Sequence, residues 1–91
     1  MKRVHLLVTG YVQAVGFRFS MRQAAEEIGV AGWVRNRPDG SVEAEVEGDE
    51  QQVAALVTWA RHGPRWARVE EVRSVPVPPS GALGFEILPD A

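Results

Sequence analysis

The feature that most constrains this chain is the order in which its hydrophobic period alternates between two residues and 3.6. Val4, Leu6 and Val8 alternate with His5, Leu7 and Thr9, the pattern of a strand apolar on both faces and therefore central. From Phe17 the period changes: Phe17, Met21, Ala24, Ala25 and Ile28 share one helical stripe, and Gly29 supplies the stop. Gly32 to Arg37 reads as a second strand, followed by a turn at Arg37-Pro38-Asp39-Gly40, where Pro presets φ and Gly accepts a positive one. The return strand alternates Val42, Ala44 and Val46 with Glu43, Glu45 and Glu47, one face core and the other acidic. Asp49 and Gln52 have capping-box spacing before a helix that buries Val53, Leu56, Val57 and Ala60 and ends at Gly63-Pro64. Val69, Val72, Val75 and Val77 predict a fourth strand whose alternation slips between 69 and 72, as a bulge would cause. A last short strand covers Phe85 to Leu88.

Strand, helix, strand, strand, helix, strand predicts an α+β, ferredoxin-like split βαβ fold, with a short C-terminal strand added. Both helices pack on one face of an antiparallel sheet, and right-handed crossovers lead to the strand order 4-1-3-2. At 91 residues the chain has room for one domain, residues 1–91, large enough to need no metal or disulfide staple. The fold hosts enzymes, RNA binders and sensors alike, so function must be sought in a site.

The absence of cysteine excludes thiol nucleophiles, Cys-based zinc sites, iron–sulfur clusters and redox pairs. The apolar run after Met1-Lys2-Arg3 is too short for a signal peptide or a membrane span, so a soluble cytoplasmic protein is expected, without a membrane partner. The net charge of −2 argues against nucleic acid. That charge is uneven: residues 1–37 carry six Lys/Arg against two acids, whereas residues 38–58 carry six acids and no base. An anion site therefore belongs in the N-terminal segment. The acidic row of the third strand is better explained by cross-strand pairing with Arg35 and Arg37 than by a bound cation. His5 reads as a sheet residue and His62 as a helix C-terminal residue bonded to carbonyls. Trp33, Trp59 and Trp66 read as core packing.

Within the N-terminal segment, Gly10-Tyr11-Val12-Gln13-Ala14-Val15-Gly16 runs from a strand into a helix whose second residue is Arg18. Such a loop can aim successive backbone N–H groups and a helix N-terminus at an anion, and an arginine fork can hold two of its oxygens. Spacing alone favours an ordinary connection with a solvated arginine. Arg18 in a first turn nevertheless opposes the helix dipole, and that small cost hints at a use. Asn36, two residues before Pro38, reads on spacing alone as a turn residue.

Gly10-Tyr11-Val12-Gln13-Ala14-Val15-Gly16-Phe17-Arg18 resembles the first motif of the acylphosphatase family, G-x-V-Q-G-V-x-F-R. Gly32-Trp33-Val34-Arg35-Asn36, with Gly40 and Gly48 beyond it, resembles the second. The resemblance implies a metal-independent hydrolase that cleaves the carboxyl-phosphate bond of small acyl phosphates, with no cofactor. It implies that Arg18 and Asn36 are catalytic, and that Val12, Gln13, Ala14, Val15, Gly16 and Phe17 offer a phosphate its backbone N–H cradle. A monomer is expected. One residue departs from the motif, Ala14 where the family has Gly, which costs about 1–2 kcal/mol if φ there is positive. A non-catalytic phosphate-binding module of the same fold is the alternative that Ala14 favours.

Overall fold

The computed structural model describes residues 1–91. Its elements are β1 (Lys2–Tyr11), α1 (Phe17–Ile28), β2 (Ala31–Asn36), β3 (Val42–Gly48), α2 (Glu50–His62), β4 (Arg68–Val77) and β5 (Phe85–Ile87). They form one five-stranded sheet in the order β4-β1-β3-β2-β5. The expected 4-1-3-2 order is present, and β5 extends it by pairing parallel to β2, with Gly32 opposite Phe85 and Val34 opposite Ile87. The sheet is therefore mixed at that edge rather than purely antiparallel. A strand returning beside β2 from across the molecule has no hairpin to set its direction.

The slip in the fourth strand has a structural cause. Thr9 faces Glu71 while Gly10 faces Val69, so Glu70 is the extra residue of a bulge. Gly10 has φ 124°, and a Cβ there would lie 2.1 Å from the Arg68 carbonyl oxygen. Only glycine fits, and β1 accordingly stays paired two residues beyond the apolar alternation, to Tyr11.

Both helices cover one face of the sheet. Leu6, Val8, Val34, Val42, Ala44 and Val46 project from the strands to meet Phe17, Met21 and Ala25 of α1 and Val53, Leu56 and Ala60 of α2. Asp49 accepts from the Gln52 backbone N–H at 2.8 Å, while the Gln52 carboxamide oxygen accepts from the Asp49 N–H at 3.0 Å, the capping box read from the spacing. Trp59 packs edge-on to Phe17, with centroids 5.4 Å apart, and fixes the start of α1 against α2. Trp33 and Trp66 do not join the core: Trp33 lies on the opposite face of β2 with Arg35 5.2 Å from its ring, and Trp66, in the turn after α2, is 70% exposed with Arg65 over its ring.

The opposite face carries the acidic row, and its ion pairs come from two strands. Arg35 donates to Glu43 at 2.8 Å, as cross-strand pairing predicts, and Arg37 stands 3.6 Å from the same carboxylate. His5 also contacts Glu43, at 2.7 Å, while Arg3 bridges Glu45 at 2.7 Å and Glu47 at 3.0 Å. Glu47, only 3% exposed, further accepts from the backbone N–H groups of Ser80 at 2.8 Å and Gly81 at 2.9 Å. Those bonds, the Ser80 N–H first, hold its carboxyl at about 2, outweighing the upward push of burial. Burial pushes Glu43 up as well, but the His5 and Arg35 hydrogen bonds prevail and keep it below its ordinary value. Glu47 thus anchors the β4–β5 connection that delivers β5 to the edge beside β2. No helix is long and apolar enough to cross a membrane.

Candidate active site

The β1–α1 loop closes its turn with two residues of positive φ, Ala14 at 61° and Gly16 at 78°. Ala14 is the one non-glycine residue of the chain in that region. The position therefore does require the left-handed conformation, and alanine adopts it at a cost of about 1–2 kcal/mol. Its methyl is solvent-exposed, so nothing obstructs the adoption. Gly16 is the N-cap of α1, and neither a side-chain cap nor an acidic residue serves the first turn. The first amide of this stretch to find a protein acceptor is that of Ser20, which donates to Gly16 O; none of the N–H groups from Val12 to Phe19 does so. A helix N-terminus with this many free donors carries an uncompensated positive potential.

Arg18 adds a full charge at the same place. Its guanidinium is partly exposed, and Nη1 donates to the Asp90 carboxylate at 3.2 Å, an exposed pair that contributes little. The buried residues of β2 are Gly32, Val34 and Asn36, so the carboxamide of Asn36 lies on the helix-covered face at the end of the strand, level with the start of α1. Asn36 is 8% exposed, and its Oδ1 is buried without a hydrogen-bond partner. An orphaned buried acceptor costs about 1–3 kcal/mol unless something donates to it.

Val12, Ala14, Gly16, Phe17, Arg18, Phe19, Asn36 and Ile87 line one cavity of about 190 Å³. Of the residues expected to form the site, six are brought together there: Arg18, Asn36 and the loop residues Val12, Ala14, Gly16 and Phe17. Gln13 and Val15 point elsewhere. The Val15 side chain packs against the core, and the Gln13 carboxamide donates to the carbonyls of Arg37 at 2.8 Å and Ser41 at 2.9 Å. His5 is held in the sheet by Glu43, and His62 contacts the Thr58 carbonyl at 3.0 Å; neither approaches the cavity. Phe19, Ile87 and Asp90 were not singled out from sequence. Phe19, off the apolar stripe of α1, is 60% exposed at the cavity rim with Arg22 5.2 Å from its ring. Ile87 and Asp90 arrive through the β5 edge, and no local pattern signals them.

The acylphosphatase family profile matches residues 4–87. The chain is 62% identical over 72 residues to an acylphosphatase of Thiobacillus denitrificans, covering 79% of this chain and 81% of that one. It is 52% identical over 90 residues to an acylphosphatase of Thermococcus kodakarensis, covering 97% and 99%. The crystal structure of an acylphosphatase from Bacillus subtilis superposes with a TM-score of 0.94 at 32% identity, over 97% of this chain and 99% of that one. On these grounds the chain belongs to the acylphosphatase family, hydrolases of the carboxyl-phosphate bond of small acyl phosphates.

Proposed function

We propose that acyl phosphate hydrolysis takes place in the cavity between the β1–α1 loop and the end of β2, without a metal ion or other cofactor. One observation carries the reading: Arg18, the open amides of the loop and the orphaned Oδ1 of Asn36 converge there from segments far apart in sequence. The amides of Val12 to Phe17 and the Arg18 fork bind the phosphoryl oxygens and neutralise the charge that develops on them. The buried Oδ1 of Asn36 accepts a hydrogen bond from a water molecule and aims its oxygen at phosphorus, opposite the acyl oxygen. The water oxygen bonds to phosphorus as the bond from phosphorus to the acyl oxygen breaks, and the carboxylate leaves with the electron pair. An amide is not basic at neutral pH, so the water proton passes to a phosphoryl oxygen.

Leaving-group chemistry sets the substrate class. A carboxylate needs no proton on departure, and none of the residues lining the cavity is a general acid at neutral pH. An alkyl phosphate, whose alkoxide does need one, is expected to be inert. The family match over residues 4–87 supports reading 1–91 as one acylphosphatase-like domain. A cytoplasmic monomer acting on small molecules, with no nucleic-acid partner, completes the proposal, and the acidic balance of the chain supports its last part.

The test is hydrolysis of an aromatic acyl phosphate in excess chelator, beside an alkyl phosphate monoester, for the wild type, Arg18→Ala and Asn36→Ala. Losing two charge-assisted hydrogen bonds of about 1.5–3 kcal/mol each lowers the Arg18→Ala rate at least about a hundredfold. A misplaced water lowers the Asn36→Ala rate about a hundredfold. Near-normal turnover by Arg18→Ala would overturn the assignment of the site. Phosphate binding by a folded wild type that hydrolyses no acyl phosphate would make the chain a binding module.

A further inference from the structure

The cavity has two walls that the sheet does not tie together. Pairing of β1 with β3 ends at Val8 opposite Val42, and beyond it β1 follows β4, carrying the loop away from the hairpin that bears Asn36. No backbone hydrogen bond joins residues 12–19 to the β2–β3 hairpin. The C-terminal residues tie the walls indirectly, Ala91 N donating to Asn36 O at 2.9 Å and exposed Asp90 accepting from Arg18 at 3.2 Å, but the direct link between loop and hairpin is made by one side chain. Gln13 Nε2 donates to Arg37 O at 2.8 Å and to Ser41 O at 2.9 Å, using both hydrogens of the carboxamide. These two carbonyls also close the hairpin turn: Arg37 O accepts from the Gly40 N–H at 3.1 Å, and Ser41 O from the Arg37 N–H at 2.9 Å. Arg37 directly follows Asn36 in the chain.

We propose that Gln13 is a positioning residue that sets the distance between the phosphoryl group, held by the loop and Arg18, and the water, held by Asn36. The inference rests on the roles given above to Arg18 and Asn36. The Gln13 side chain touches neither reactant and lies outside the cavity lining. It acts by locking the strand end that carries Asn36 to the second residue of the phosphate loop, and so fixes the approach of water to phosphorus. Phosphate affinity is a property of one wall alone. In-line attack needs both walls in register, and a displacement of about 1 Å is enough to cost a hundredfold.

The chemistry of the clamp dictates the variants. Gln13→Met keeps the length of the side chain and removes both donors. Gln13→Glu keeps the shape but presents a carboxylate to two carbonyl oxygens, and it regains one donor when protonated. The experiment is a double-mutant cycle of Gln13→Met with Asn36→Ala, reading kcat, KM and competitive inhibition by inorganic phosphate, with a pH profile of Gln13→Glu alongside. Gln13→Met is expected to lower kcat about 10- to 100-fold while the inhibition constant for phosphate stays within about threefold. In the Asn36→Ala background the same change is expected to cost less than about threefold, because the water it positions is no longer held. The kcat of Gln13→Glu relative to wild type is expected to rise as the pH falls from 8 to 5; this arm stands even if Gln13→Met does not fold.

Phosphate affinity falling in step with kcat would overturn the proposal, since Gln13 would then be shaping the cradle itself. Losses that multiply in the double variant, or a Gln13→Glu profile parallel to wild type, would overturn it too. Wild-type turnover by Asn36→Ala alone is a different pattern. It would refute the role of Asn36 and, with it, the coupling.

Discussion

Replacing Ala14 with glycine is expected to stabilise this protein. The backbone at Ala14 has φ 61°, where an L side chain crowds its own carbonyl oxygen at a cost of about 1–2 kcal/mol. Glycine removes that cost but widens the unfolded ensemble, returning about 0.4–1 kcal/mol. The methyl is exposed, so its deletion sacrifices essentially no buried surface. The balance is a gain of about 0.5–1 kcal/mol, which for a domain of this size raises Tm by about 2–8 °C. Thermal unfolding of wild type and Ala14→Gly, followed by far-UV circular dichroism, measures it directly. Ala14→Val supplies the opposite perturbation, because a β-branched side chain tolerates positive φ worse than alanine, and its Tm is expected to fall. Since glycine keeps the loop's N–H directions, kcat/KM of Ala14→Gly should stay within about threefold of wild type. A Tm for Ala14→Gly at or below wild type would refute the reasoning, by showing that Ala14 is unstrained or that its methyl makes a stabilising contact. A large rise in kcat/KM would show instead that alanine distorts the cradle.

Two further predictions concern the scaffold that positions the site. Gly10→Ala would drive a Cβ to 2.1 Å from Arg68 O at a φ of 124°, so the bulge must rearrange; a loss of at least about 2 kcal/mol is expected in urea unfolding, and an unchanged midpoint would contradict the register described. Glu47 titrates at about 2 in the folded chain against an ordinary 4.5, so the unfolded state binds the extra proton between those values. Its stabilisation is complete above about pH 4.5 and is lost as the pH falls toward 2. Glu43, also held below its ordinary value, adds a loss of the same sign. Acid titration monitored by near-UV circular dichroism should show Glu47→Gln losing this dependence, and an unaltered acid transition in that variant would argue against the Ser80–Gly81 anchor.

The fold was legible because its determinants are local. Alternation in Val4–Val8 and Val42–Val46, the helical stripe from Phe17 to Ile28 and the Asp49/Gln52 box each report the conformation of a few neighbouring residues. Even the bulge left a local trace, the slipped period between Val69 and Val72, although its cause at Gly10 lay on another strand. For Trp66 position outweighs apolar character: in a turn after a helix, a large ring has no opposing layer to bury it. For the acidic row, pairing with Arg35 follows from the hairpin, whereas the share taken by Arg3 and His5 depends on β1 lying between β3 and β4.

The candidate site divides in the same way. The loop–helix sequence and the terminal asparagine of β2 are visible as residues, and the motif resemblance ties them to one chemistry. The sequence by itself determined which elements form, which faces are apolar and which family the motifs belong to, because dihedral preference, hydrophobic period and capping act within a few residues. Only the tertiary structure decided that Arg18 and Asn36 share a cavity, that Ala14 sits at positive φ, and that Gln13 reaches the hairpin while β5 brings Ile87 and Asp90 alongside. Those are relations between distant segments, set by strand order and register, and they take their final form when the whole sheet closes over one core.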